Sequence, residues 1–173
     1  MINCARNLQI KTTTDCTDIR TYDHLKDGFD PGFNSHKFNK PAYRYEVCVA
    51  IYSDNICWIQ GPFRAGTWQD KVLFTRPGGL EQVLENCGEK TVADNIYVKS
   101  KQVARKSKGR KKWKKWKQRV LARHESVNSR LKNFGKLDTP FFCTIEKHEM
   151  FFTFAAIATN IDFAYRPLIE SFV

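Results

Sequence analysis

The sequence predicts an α/β fold in which a mixed sheet is flanked by helices, and three observations carry that prediction. Short alternating or β-branched runs recur as strand signals. One long segment and one apolar segment carry helical spacing. The elements then fall in the order β, β-β, α, β, α, α, so the strand content comes first and the longest helices last.

Leu8 to Thr14 opens the fold as a strand, alternating apolar and polar at its start and rich in threonine, and it runs directly into Asp15-Cys16-Thr17-Asp18. A polar loop with Gly, Pro and Asn follows from Asp23 to Pro41. Tyr43 to Tyr52 is the next strand, with Tyr45, Val47, Val49 and Ile51 on one face. Ser53-Asp54-Asn55 turns the chain into Ile56 to Ile59, completing a hairpin that Gly61-Pro62-Phe63 ends. Short helices are expected around Trp68 to Phe74 and Leu80 to Glu85, separated by Pro77-Gly78-Gly79. Lys90 to Ala93 is the fourth strand and ends at Asp94. A strong helix covers about Trp113 to Asn133 and stops at Gly135, the residue type that most easily leaves a helix. A last apolar helix spans about Glu146 to Asn160.

With 173 residues and no internal repeat or long Pro/Gly/Ser linker, the chain reads as one domain over residues 1–173. Its 42% hydrophobic and 13% aromatic content excludes an intrinsically disordered polymer. No apolar run approaches the roughly 20 residues of a membrane helix. The N-terminus lacks an apolar h-region, so neither a membrane protein nor a secreted one is expected. The six cysteines form no CxxC and no Cys/His zinc spacing, and they read as reduced thiols, mostly core residues. The net charge of +11 is concentrated: 13 Lys or Arg and no acid lie between Lys99 and Arg123, and the remainder is near neutral. Such a block implies a polyanionic partner, with nucleic acid ahead of an anionic membrane surface.

Four acids sit where a carboxylate is awkward for structure alone. Asp15 follows one strand and Asp94 ends another, the positions at which open α/β sheets build their sites. Asp70 lies in the turn-to-helix stretch after the third strand. Glu125 borders the buried stripe Val120, His124, Val127, Leu131 and Phe134 of the long helix, with Asn128 and Lys132 on its own face. Clustered acids repel unless a cation sits between them, and hard oxygen ligands suit Mg²⁺ or Mn²⁺. Each acid also has a plain structural reading. Asp70 serves equally as a helix cap, Asp15 as a turn residue and Glu125 as a partner for Arg123 or Lys132.

The words around these acids stand in a recognisable order. They are Asp15-Cys16-Thr17-Asp18, Ser35-His36-Lys37-Phe38-Asn39-Lys40-Pro41 with Tyr45-Glu46-Val47, and Gly61-Pro62-Phe63 with Gly66 and Asp70. Gly88-Glu89-Lys90, Ala93-Asp94-Asn95 and Tyr97 follow, then Ala122 to Gly135, then Lys147-His148. Together they resemble the DDE-superfamily endonuclease domain of Harbinger-like transposases over nearly the whole chain. The resemblance implies an RNase H-like fold, two divalent ions and cleavage of DNA phosphodiester bonds in the nucleus. It implies metal ligation by Asp15, Asp70, Asp94 and Glu125, with Asp15, Asp94 and Glu125 as the triad and Asp70 in support. Which of Asp70 and Asp94 is the second triad member stays open. It also implies that Arg123 and Lys132 steady phosphate oxygens. The DNA-reading region that precedes the catalytic domain in the family is absent from this chain, which leaves room for a separate DNA-binding partner protein.

Residues 106–117 interleave Lys and Arg with Trp113 and Trp116. Lys111, Lys112, Lys114 and Lys115 are expected to neutralise a DNA backbone, and at least one indole to pack on the core. The same run also suits nuclear import. Two tryptophans are too few for a membrane-surface helix. The rival class is a non-catalytic DNA-binding remnant, and a more distant one is a small basic RNA-binding protein.

Overall fold

The computed structural model describes residues 10–22, 30–53, 55–97, 100–104 and 110–167. Expectations that fall on Leu8, on residues 23–29 and on residues 105–109 of the basic segment lie outside these. Five strands form one mixed sheet: β1 (Ile10–Arg20), β2 (Asn34–Ser35), β3 (Lys40–Ala50), β4 (Ile56–Arg64) and β5 (Lys90–Val92). β3 runs antiparallel to β1, in register from Thr12↔Ala50 to Arg20↔Ala42. Its other edge is covered by β4 along most of its length and by β2 at its first two residues. β5 joins the free edge of β1 in parallel and pairs only as far as Thr13↔Val92.

The helices are α1 (Asp70–Thr75), α2 (Leu80–Asn86), α3 (Arg110–Lys132) and α4 (Ile145–Tyr165). Strand alternation sorts them into layers. Tyr43, Tyr45, Val47 and Val49 of β3 and Ile19 of β1 join Val127 and Leu131 of α3 and Phe152, Ala155, Ala156 and Phe163 of α4 in the largest core cluster. The intervening residues face the other way, where Cys48 packs with Phe74, Leu80, Leu84, Ala93 and Tyr97. Two side chains fasten α4 to the sheet. Tyr45 stacks on Phe152, 3.7 Å between ring centroids, and its hydroxyl lies 2.7 Å from His148 Nδ1. The Asn160 amide accepts from Ile56 N at 2.8 Å and donates to Ile56 O at 3.0 Å, closing both polar groups at the start of β4.

The expected class and element order hold, except that Asn34–Ser35, within the expected loop, form the short strand β2, and that two strands run longer than expected. β1 continues to Arg20, so Asp15-Cys16-Thr17-Asp18 are in the strand rather than after it, because β3 pairs with every one of them. β4 likewise runs through Gly61-Pro62-Phe63 to Arg64, absorbing them with register shifts. Gly61 is required there: its φ is +152°, and a Cβ would strike the Tyr45 ring and lie 2.9 Å from Arg44 O. Among the described residues no helix is long and apolar enough to cross a membrane.

Candidate functional site

The site begins where β1 loses a neighbour. β5 covers its edge only to Thr13, and the next backbone partner on that edge is Phe141, bridged to Thr21. Between them β1 carries Asp15, opposite Val47 in the register and therefore on the side of the sheet that faces α3.

The α3 residues His124, Asn128 and Lys132 form one row, since four helical residues rise about 6 Å. Two strand residues rise about 6.7 Å, so a helical row of this kind can follow β1 with nearly matched steps. His124 anchors the match against the Thr13 backbone. It is the core histidine expected, although neither ring nitrogen makes a well-formed hydrogen bond, and burial drives its pKa down to about 4. Asn128 Oδ1 is also buried without a partner. A polar seam thus replaces apolar packing between β1 and α3, where Val127 and Leu131 would suffice for stability alone.

Electrostatics single out Asp15 within this seam. Burial pushes its pKa up to about 6, Asp70 and Glu125 push the same way, and Lys37 and the Cys16 backbone oppose them. Lys132 is perturbed in the opposite sense. Burial and Lys37 lower its pKa, while Asp18, Glu125 and Asp15 support its charge. Its Nζ lies 5.5 Å from the centre of the Phe38 ring. The wall of the site is therefore β1, the 36–39 turn and the C-terminal half of α3.

A second network lies on the opposite side of the sheet and holds that turn. Arg44 donates from Nε to Asp18 Oδ1 at 2.7 Å and from Nη2 to Asp18 Oδ2 at 2.9 Å. Its Nη1 donates to Trp68 O at 2.9 Å and lies 2.7 Å from Asp70 Oδ1, an ion pair without hydrogen-bond alignment. Burial pushes the Asp18 carboxyl up, but Arg44 and Ser35 outweigh it and hold the pKa below its usual value. Ser35 donates to Asp18 Oδ2 at 2.6 Å, and its Oγ receives Lys37 N at 3.1 Å. The turn so fixed delivers Lys37 Nζ to Cys16 O, 2.7 Å away on the open edge of β1. Glu46 completes the layer, wholly buried with neither oxygen hydrogen-bonded, and burial raises its pKa to about 7.

The four expected acids are thus only partly gathered. Asp15 and exposed Glu125 belong to the α3 side. Asp70 opens α1 on the opposite side of the sheet, where it is ion-paired to Arg44. Asp94 leaves β5 two residues beyond Val92, as Asp15 stands two beyond Thr13, so both flank the point where the parallel pair ends. Its carboxylate is exposed and accepts from Asn95 N at 2.6 Å. Lys111, Lys112, Lys114 and Lys115 are all exposed, and both Trp113 and Trp116 pack against the cluster of Ile10, Ile51, Val92 and Val120. Arg123 is 6% exposed and donates to Ile51 O.

Arg44 was not among the expected residues. Its signal was a charge inside the apolar-alternating strand Tyr43 to Tyr52, on the face opposite Tyr45, Val47 and Val49. That face is covered by α1 and α2, and a buried guanidinium there requires acids.

As a set, Asp15, Glu125, Asp94 and Asp70 offer the hard oxygens that Mg²⁺ or Mn²⁺ takes. The donor chemistry fits such an ion, and a cation beside Asp15 would relieve the burial and repulsion that raise its pKa. Among the described residues, no three acid, histidine or cysteine side chains are close enough to hold an ion as placed. No protein-family model, curated protein or solved structure matches the chain.

Proposed function

We propose that the chain is the catalytic domain of a divalent-metal-dependent DNA endonuclease, transposase-derived, nuclear and RNase H-like in its sheet. The observation that carries this reading is Asp15, a carboxyl raised to about 6 by burial and by two further acids, at the uncovered edge of the central strand. Asp15 and Glu125 would hold the ion, with Asp94 and Asp70 as the further carboxylates. When bound, such an ion lowers the pKa of water and neutralises charge at a leaving phosphate oxygen. Lys132 and Lys37, on the wall beside Asp15, would contact phosphate oxygens, and the exposed lysines of α3 would hold the flanking backbone.

Calorimetric titration with Mn²⁺ tests the reading on this chain and on its Asp15→Asn, Glu125→Gln double variant. Binding is expected only in the unsubstituted chain, together with metal-dependent nicking of DNA that the double variant lacks. One observation favours the second reading, a DNA-binding remnant: Asp70 is already ion-paired to Arg44. Salt-dependent DNA binding by the unsubstituted chain, with no Mn²⁺ uptake in the absence or presence of DNA, would decide for the remnant.

A further inference from the structure

Helix α4 is apolar on two sides. His148, Phe152, Ala155, Ala156, Thr159 and Phe163 face the core. The opposite side carries Met150, Phe154, Ile157, Ile161 and Tyr165, each more than half exposed. Their spacing of four, three, four and four residues makes one continuous stripe. At about 200 Å² for a large side chain, these residues and the neighbouring Phe151 leave about 700 Å² of apolar surface open. The largest patch of a typical monomer is about 300–600 Å², whereas a stable interface takes about 800 Å² from each partner.

We propose that this face is a homodimer interface in which the α4 helices of two copies pack antiparallel. The area matches what one partner contributes to such an interface. The stripe carries no charged side chain, so the net charge of +11 does not oppose self-association there. Antiparallel packing also sets each helix dipole against the opposite one, which a parallel pair does not. With the two-fold axis between Ile157 and Ala158, Met150 meets the partner's Tyr165 and Phe154 meets the partner's Ile161.

Sedimentation velocity of the whole chain tests this independently of any nuclease activity. The unsubstituted chain is expected to be a dimer. Phe154→Lys and Ile161→Glu are each expected to be monomeric, with unchanged far-ultraviolet circular dichroism. Met150→Glu alone should weaken the dimer by tenfold or more, and adding Tyr165→Lys, at the residue that faces it across the antiparallel contact and is 82% exposed, should restore it. A chain that stays monomeric at its highest soluble concentration overturns the proposal, whatever else covers the stripe. A dimer that survives both folded stripe variants overturns it equally, and failure of the added Tyr165→Lys to rescue overturns the antiparallel arrangement.

Discussion

Replacing Asp15 by Asn should make this protein more stable at neutral pH. An acid whose pKa is raised on folding binds its proton more tightly in the native chain than in the unfolded one. Its ionisation therefore leaves stability untouched below the unfolded value, about 4, and erodes it as pH rises through about 6. The rise from 3.8 to about 6 amounts to about 3 kcal/mol at about 1.4 kcal/mol per unit. Residual solvent contact screens part of it, leaving about 2 kcal/mol. Asn matches the protonated carboxyl in shape and escapes the penalty. Urea melts of both chains in chelator, from pH 4 to pH 8, should show Asp15→Asn ahead by about 2 kcal/mol at the upper end and level at the lower. On the proposed function, excess Mn²⁺ should then stabilise the unsubstituted chain selectively and narrow the gap. A variant less stable at pH 7.5, or a gap that does not change with pH, would refute the reasoning. Either result would mean that Asp15 makes a stabilising structural contact.

Arg44→Met should cost about 3–5 kcal/mol in the same melts, because it leaves the fully buried Asp18 carboxylate without its cation. Adding Asp18→Asn should recover part of that loss, and no recovery would deny the coupling. The Asp18 contribution should be present above about pH 4 and disappear as pH falls through the lowered native value. Glu46→Gln should gain about 1–3 kcal/mol at pH 8 and little at pH 5, since burial raises that carboxyl to about 7. Thermal melts at the two pH values check this. Replacing Lys111, Lys112, Lys114 and Lys115 by Ala should reduce the slope of log K for DNA against log salt by up to about 3–4. An unchanged slope would remove these lysines from the interface.

The long helix was legible because its stripe Val120, His124, Val127 and Leu131 obeys a local period, and all four are buried as expected. The two indoles of the basic segment were legible for the same reason. The extent of β1 was not. Asp15-Cys16-Thr17-Asp18 looks like a turn by composition, and only β3, which first pairs with it some 30 residues later in the chain, makes it a strand. Nor was the burial of Arg44 and Glu46 visible. Their alternation with Tyr43, Tyr45 and Val47 is the pattern of a sheet wetted on one face. It takes α1 and α2, elements of only six and seven residues, to cover that face.

That covered face also decides how the four acids relate. Read as strand ends and helix faces, they converge on one point; in the structure Asp15 and Glu125 lie on the α3 side and Asp70 on the other, a division set by the parity of β1 and β3. Asp15 pairs with Val47 and points to α3, whereas Asp18 pairs with Arg44 and points to α1. The guanidinium that neutralises Asp18 reaches on to Asp70 and holds it on the same side. Asp70 therefore acts on Asp15 as a distant charge, while Lys37, fixed through Ser35 by the same buried pair, acts on it from the open edge. The buried network on one face thus sets the field on the other. Loss of Arg44 should for this reason disturb Mn²⁺ affinity as well as stability, by freeing Asp70 and loosening the turn that carries Lys37. An Arg44→Met chain that is folded, destabilised and unchanged in its metal titration would show that the two faces are independent.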